Sequence, residues 1–284
     1  MPLQEFETIL TYLEPGRDWV SLLGGEPTLH SRFKEIVQDL VDSGYDVWIF
    51  TNGTTPQLRN GTANVPEGRV RGMLNLNELE SYTADEMAEL EANCRELGER
   101  LCLSFNIYGS RFRWDHLRAA VQKWQLAKVI RLGIAQPIRN TTNVFLPEEE
   151  MDSTCRRIVE MAEDLAEDGI SLNFDCGFRV CAFSAIERGI LAECGTRFSF
   201  TCEPVLDIGP GLEVWRCFPF SGDHRVKLTD FDSIKQLEAY FSGLWSEGRS
   251  HGNTGACDTC DNKRAGTCHG GCLSRSLLMI REGN

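Results

Sequence analysis

The chain has 284 residues, a length that allows one large domain or one domain with a small appendix. With 42% hydrophobic and 25% charged residues it falls outside the collagen-like, low-complexity and largely disordered classes. A core of this size buries about three quarters of the unfolded surface, so disulfides are not needed for folding. A formal charge of -13 repels phosphate backbones, which excludes nucleic acid as a main partner.

The first residues carry acids through a short amphipathic pattern, with no basic start and apolar run, so no signal peptide is visible. No stretch approaches the roughly 20 apolar residues that a membrane span requires. The expected setting is the reducing cytoplasm, away from membranes.

In chain order, the sequence opens on a helix from Pro2 to Leu13. Short apolar runs then alternate with amphipathic segments up to about residue 170, the pattern of βα units around a parallel sheet. Strands are expected at Trp19 to Leu23, Val47 to Thr51, Leu101 to Ile107, Val129 to Ile134 and Ser171 to Phe174, whose continuous apolar character suits burial on both faces. Between the first two, SRFKEIVQDLVDSG places Phe33, Ile36, Val37, Leu40 and Val41 on one helical stripe, with Ser31 as N-cap and Gly44 as stop. Thr54 to Leu74, punctuated by Pro56, Gly61, Pro66, Gly68 and Gly72, reads as a long loop leading to an added short strand. PEEEMDSTCRRIVEMAEDLAEDG is a further helix, with acids in its first turn and Gly169 at its end. The fold class is therefore α/β. Residues 1–175 form a βα domain and residues 176–284, where Gly, Cys and Phe dominate, a small cysteine-rich one.

The first strand runs into GGEPTLH. Gly24 and Gly25 allow a sharp turn and a close approach of backbone to a ligand. Glu26, made rigid by Pro27, then sits at the C-terminal strand end, the edge that holds active sites in parallel βα sheets and barrels. A carboxylate there suits an ammonium group, although four residues alone read equally as a structural turn with a solvated acid. The turn is not a phosphate loop, because no GK pair follows it. Thr51, Asn52 and Gly53, then Ser104 and Asn106, then Arg131, fall along the same edge. Each alone reads as a satisfied core or turn residue, but together they line one rim. His30 and Arg32 cap or cover the turn.

Nine of the twelve cysteines lie after residue 170, and clustered cysteines in a reducing compartment point to metal or catalysis. Cys257, Cys260, Cys268 and Cys272 form a CxxC, seven residues, and a CxxxC. Four thiolates so spaced converge on zinc or contribute to an iron–sulfur cluster, and spacing does not choose between them. Cys176, Cys181, Cys194, Cys202 and Cys217 lie upstream, so the count suits two sites with one cysteine to spare. At least one of Cys176, Cys181 and Cys194 is expected to ligate nothing. His269 reads as a solvated loop residue, and Cys94, Cys102 and Cys155 as core.

LLGGEPTLH, followed by a helix and VWIFTNG, resembles the radical S-adenosylmethionine superfamily. The resemblance implies a partial (β/α)6 TIM-like barrel missing its first strand. It also implies that Gly24, Gly25 and Glu26, with Pro27 and Asn52 in the same turn region, hold the methionine end of S-adenosylmethionine, and that Ser104, Asn106 and Arg131 hold its ribose and carboxylate. The C-terminal third is similar to the SPASM-type auxiliary domain, which implies one or two extra 4Fe-4S clusters, with Cys202, Cys217, Cys257, Cys260, Cys268 and Cys272 matching that layout. A peptide or protein substrate and an electron donor such as flavodoxin or ferredoxin follow from the same resemblance.

Two departures stand beside it. The family's CxxxCxxC does not occur in these residues, and the chain starts at the first helix, so an N-terminal segment lying outside these residues is favoured over a natural rewiring. The CxxC and CxxxC are separated by seven residues where the family usually has five, and the family's terminal cysteine has no counterpart. The alternatives are a non-catalytic relative that keeps its iron–sulfur centres, and a zinc module on an unrelated βα domain.

Overall fold

The computed structural model describes residues 1–13, 19–66, 68–76 and 82–282. After α1 (Leu3–Tyr12) come β1 (Trp19–Leu22), α2 (Phe33–Asp42), β2 (Asp46–Thr51), α3 (Gln57–Thr62), β3 (Val70–Asn75), α4 (Ala84–Leu97), β4 (Leu101–Ile107), α5 (Asp115–Trp124), β5 (Val129–Ile134), α6 (Met151–Ala166), β6 (Ser171–Phe174) and α7 (Ala185–Glu193). The six strands form one wholly parallel sheet in sequence order. β1 and β6 do not pair with each other among the described residues, which leaves an open, partial barrel.

All five expected strands are present, within a residue of their expected bounds. The expected added strand is β3, with Val70 opposite Val47 and Gly72 opposite Leu101. The segment before it departs from expectation: Gln57–Thr62 is helical and not loop. Its six residues include Gly61 and Thr62 and show no helical periodicity, so tertiary contacts hold it. Buried Leu58 packs into the core, and the Asn93 side chain donates to the carbonyls of Gly53 and Thr55 at 2.7 and 2.8 Å. Glu67, in the same expected loop, lies outside the described residues.

Helix α2 also begins later than expected: Arg32 is its N-cap and Ser31 lies outside it. The stripe from Phe33 to Val41 is buried as expected. α4 and α7 carry capping boxes, Thr83 with Glu86 and Ser184 with Glu187, which satisfy the free N–H groups of their first turns.

The register separates the two faces of the sheet. Leu101, Leu103, Phe105 and Ile107 of β4 point into the main core with the helices, whereas Cys102, Ser104 and Asn106 alternate to the concave side. That core extends past residue 175, taking in Phe178, Phe183 and Leu191, with Phe198 and Phe200 packed against it.

Beyond it, β7 (Leu206–Ile208), β8 (Glu213–Arg216) and β9 (Val226–Lys227) form an antiparallel sheet. A second core joins Val214 and Leu228 to Ile234, Leu237 and Phe241 of α8 (Ile234–Leu244) and to Ile9 of α1. The chain continues through α9 (Ser246–His251), α10 (Asp261–Arg264) and α11 (Leu273–Glu282), and a third cluster gathers Cys202, Phe220 and Leu273 with Cys217, Trp245 and Leu277.

Candidate active site and cysteine centres

Glu26 caps the short 3-10 turn Pro27–Leu29 at the C-terminal end of β1. Its Oε1 accepts from the Thr28 amide at 3.1 Å, the Thr28 hydroxyl at 2.6 Å and the Thr51 hydroxyl at 2.9 Å. Its Oε2 accepts from the Asn52 amide at 2.8 Å. The carboxylate thus ties the GGEP turn to the TNG turn after β2, and it is not the solvated acid that the motif alone allowed. Oε2, with a single partner here, keeps a lone pair for an incoming cation. A second tier supports the network: Thr55 donates to the Thr28 hydroxyl at 2.7 Å, and the Gly53 amide donates to Thr51 Oγ1 at 2.9 Å. Asn52 turns its side chain back, accepting from the Thr54 amide at 3.1 Å.

Gly24 and Gly25 are exposed, and a Cβ on either would meet nothing within 4 Å. Bare backbone is therefore presented beside a carboxylate, open to close approach by a ligand. His30 does not reach into this edge. Its Nε2 lies 2.8 Å from the Met1 carbonyl and its Nδ1 accepts from the Arg32 amide, while Arg32 pairs with Glu35.

The other expected residues form a second patch on β4 and β5, separated from the first by β3. Arg131 lies opposite Ser104, donates to its hydroxyl at 3.0 Å and rests over the Phe50 ring at 5.6 Å. Asn106 lies opposite Gly133, and a Cβ there would stand 2.6 Å from Asn106 Oδ1, so the glycine makes room for the amide. Asp175, which the sequence reading did not single out, forms an ion pair with Arg131. It directly precedes Cys176 and so joins the barrel rim to the cysteine-rich segment.

The cysteines fall into two electrostatic neighbourhoods. Burial raises the Cys217 thiol well above its ordinary value, and Cys272, Cys176 and Cys202 add to the effect. Cys176 is raised by burial, then by Asp175, Cys272 and Cys202. Cys272 is pushed up to about 11 by burial and by Cys202. Cys202 is likewise raised by burial. These four affect one another. Cys181 is raised by burial, eased by Arg179, and then feels Cys257 and Cys268. Cys194 is raised by burial and then by the carboxylates of Glu163 and Glu193, with no thiol among its causes. Cys94 and Cys155, each pushed up to about 12 by burial, and Cys102, pushed up to about 11, are core thiols.

Among the described residues, no three His, Cys, Asp or Glu side chains are gathered around one point as a metal ion would hold them. The surroundings nonetheless fit an anionic thiolate centre. A buried thiolate needs a compensating charge, and Cys272 sits at the start of α11, where the amides of Ser274 and Arg275 favour its thiolate. The Gly270 amide donates to Cys268 Sγ at 3.3 Å. A Cβ on Gly252 would stand 2.8 Å from Cys257 Sγ, so that glycine leaves the sulfur its space. Cys217 holds a positive φ of 74°, a strain of order 1 kcal/mol for a non-glycine residue. His269 is not a solvated loop residue: its Nδ1 accepts from the Cys202 amide at 2.9 Å and pins the two cysteine loops together.

No protein-family model and no curated protein matches the sequence. Solved structures do. Streptococcus suis SuiB bound to S-adenosylmethionine superposes with a TM-score of 0.68 at 15% identity, over 99% of this chain and 67% of SuiB. SuiB bound to its precursor peptide SuiA gives 0.67 at 16% identity, over 99% and 66%. The chain has the fold of SuiB. The chain spans about two thirds of SuiB's length.

Proposed function

We propose that this chain binds S-adenosylmethionine at the glycine–glutamate edge of a partial barrel (residues 1–175) and holds two 4Fe-4S clusters in its cysteine-rich segment (residues 176–284). Both serve radical-based modification of a peptide in the cytoplasm. The observation that carries the reading is the match of nearly the whole chain to SuiB, a protein seen with both S-adenosylmethionine and a precursor peptide. The Glu26 network supports it locally. Oε2 and the bare backbone of Gly24 and Gly25 receive the ammonium group, and Ser104, Asn106 and Arg131 receive the polar remainder of the cofactor.

The two thiol neighbourhoods support one division of the ligands. Cys176, Cys202, Cys217 and Cys272 hold one cluster, and Cys181, Cys257 and Cys268 the other, which Cys260 joins through its CxxC spacing from Cys257. Cys194 is the cysteine to spare. S-adenosylmethionine would supply hydrogen-atom abstraction only beside a cluster held by a CxxxCxxC, which these residues do not contain, with a flavodoxin or ferredoxin supplying electrons. The chain's own residues do the rest. Glu26 and Asn52 fix the orientation of the methionine end, and Arg131, held by Asp175, links that site to the first cysteine centre.

A second reading, binding without catalysis, is favoured by one feature: these residues contain no CxxxCxxC. The experiment is equilibrium binding of S-adenosylmethionine to anaerobically reconstituted protein, followed by reduction and assay for 5'-deoxyadenosine. Binding agrees with both readings; 5'-deoxyadenosine formed once a CxxxCxxC segment precedes the chain supports the catalytic one, and none formed then supports the second. Failure to bind overturns both.

A further inference from the structure

Two buried arginines share one partly exposed carboxylate beside the cysteine loops. Arg179 and Arg275 are each only 5% exposed. Both pair with Glu148, Arg179 at 2.6 Å and Arg275 at 3.3 Å. Two guanidiniums on one carboxylate leave an uncompensated positive charge out of water, an expensive arrangement unless an anion balances it.

Donors around this charge also lack acceptors. Nε and Nη1 of Arg179, Nε2 of Gln136 and Nδ2 of Asn253 are buried without a hydrogen-bond partner, and Asn253 is 0% exposed. Folded proteins seldom leave several buried donors orphaned at one place without a ligand.

The cysteine loop runs through the middle of the group. A Cβ on Gly271 would stand 2.2 Å from Asn253 Nδ2 and 3.2 Å from Arg179 Cγ, and one on Gly270 would stand 3.3 Å from Cys257 Sγ. A Cβ on Gly177 would stand 2.7 Å from Gln136 Nε2 and 3.7 Å from the Cys272 Cβ. The Arg275 amide donates to the Cys272 carbonyl at 3.1 Å. Arg179 itself lies between Cys176 and Cys181 in the chain. Glycines at 177, 270 and 271 thus let the donors and the cationic pair close in on cysteines of both neighbourhoods.

We propose that Arg179 and Arg275, fastened to Glu148 and flanked by the free donors of Gln136 and Asn253, form a fixed countercharge that sets the reduction potential of the adjacent cysteine-held clusters. The inference rests on the iron–sulfur reading above. A cluster held by thiolates becomes one charge more negative on reduction, so a nearby buried cation favours the reduced form and a nearby carboxylate opposes it. Arg179 and Arg275 are positioning residues and touch no substrate.

The sign rule makes the test specific. Arg179→Gln lowers the midpoint potential, Glu148→Gln raises it, and Arg179→Lys, which keeps the charge, stays near wild type. A tenfold change in the reduction equilibrium corresponds to about 59 mV for one electron, within reach of a titration followed by electron paramagnetic resonance. Iron and sulfide are measured on every sample. Opposite shifts for Arg179→Gln and Glu148→Gln at unchanged iron content support the proposal. Equal potentials, or shifts of the same sign, overturn it while leaving the clusters in place. Iron-free wild-type protein overturns the iron–sulfur reading and this inference together. Should Arg179→Gln fail to fold, Glu148→Gln decides, and the absence of an upward shift refutes the countercharge.

Discussion

Replacing Glu26 tests the link between turn and cofactor most sharply, because two substitutions separate its structural from its binding role. Glu26→Ala removes the acceptor for four donors. The two hydroxyls can rotate, and Thr51 and Thr28 already accept from Gly53 and Thr55. The amides of Thr28 and Asn52 cannot rotate. A bond to a charged acceptor contributes about 1.5–3 kcal/mol, and Glu26 is half-buried, so water recovers part of that for each amide. The expected destabilisation of Glu26→Ala is about 2–4 kcal/mol. Glu26→Gln keeps one carbonyl oxygen but sets its NH2 against a fixed donor, for an expected cost of about 1–2 kcal/mol. Both lose the charge that faces the ammonium group, so both should bind S-adenosylmethionine at least about tenfold more weakly, or ~1.4 kcal/mol. Urea denaturation and calorimetric titration under anaerobic conditions measure the two effects. Wild-type affinity in Glu26→Gln would refute the placement of the methionine end, and wild-type stability in Glu26→Ala would refute the role of the network.

Three further predictions concern the C-terminal third. Asp207 lies opposite Trp215 in the β7–β8 pair, and burial raises its carboxyl to about 6, with the Trp215 side chain working the other way. Because the folded-state value is raised, the stability tied to the neutral carboxyl is present below about pH 4 and is lost as pH rises through about 6. Linkage puts the loss at about 3 kcal/mol at most. Asp207→Asn should therefore be more stable than wild type at pH 8 and lack this fall, and parallel urea midpoints from pH 4 to 8 would contradict it. Arg139, 4% exposed and paired with Asp223, ties the segment after β5 to the turn after Cys217. Arg139→Met removes the ion pair of the largely buried Asp223, which keeps the hydrogen bond from Asn140 at 2.9 Å, and should cost about 3 kcal/mol, part of it recovered in a double variant with Asp223→Asn. A double variant as unstable as Arg139→Met alone would show that the stranded charge is not the cause. Cys194→Ser should keep the iron content of wild type whereas Cys217→Ser should lose iron, and equal loss from both would undo the ligand assignment.

The parts of this molecule legible in the sequence are those with a local cause. Continuous apolar runs mark five of the six strands of the parallel sheet, and Gly24, Gly25 and Glu26 mark its functional edge, because a tight turn at a strand end writes itself into adjacent residues. α3 was not legible, since Asn93 holds the chain before it from about forty positions away. No motif singles out Asp175, Glu148, Arg179 or Arg275, and only tertiary packing shows that both arginines are sealed from water. His269 reads as a solvated loop residue for the same reason: its partner, the Cys202 amide, is distant in sequence. The number of cysteines suits two sites in the sequence alone, whereas the mutual influence of Cys176, Cys202, Cys217 and Cys272 depends on tertiary packing.

The central claim is that the cysteine-rich segment holds iron–sulfur clusters beside a cofactor-binding barrel edge. Iron and acid-labile sulfide, determined per chain on anaerobically reconstituted protein, test it most directly. Two 4Fe-4S clusters predict about eight of each per chain in brown protein, by cluster stoichiometry. Colourless protein carrying zinc near one per chain, with no sulfide, would contradict it.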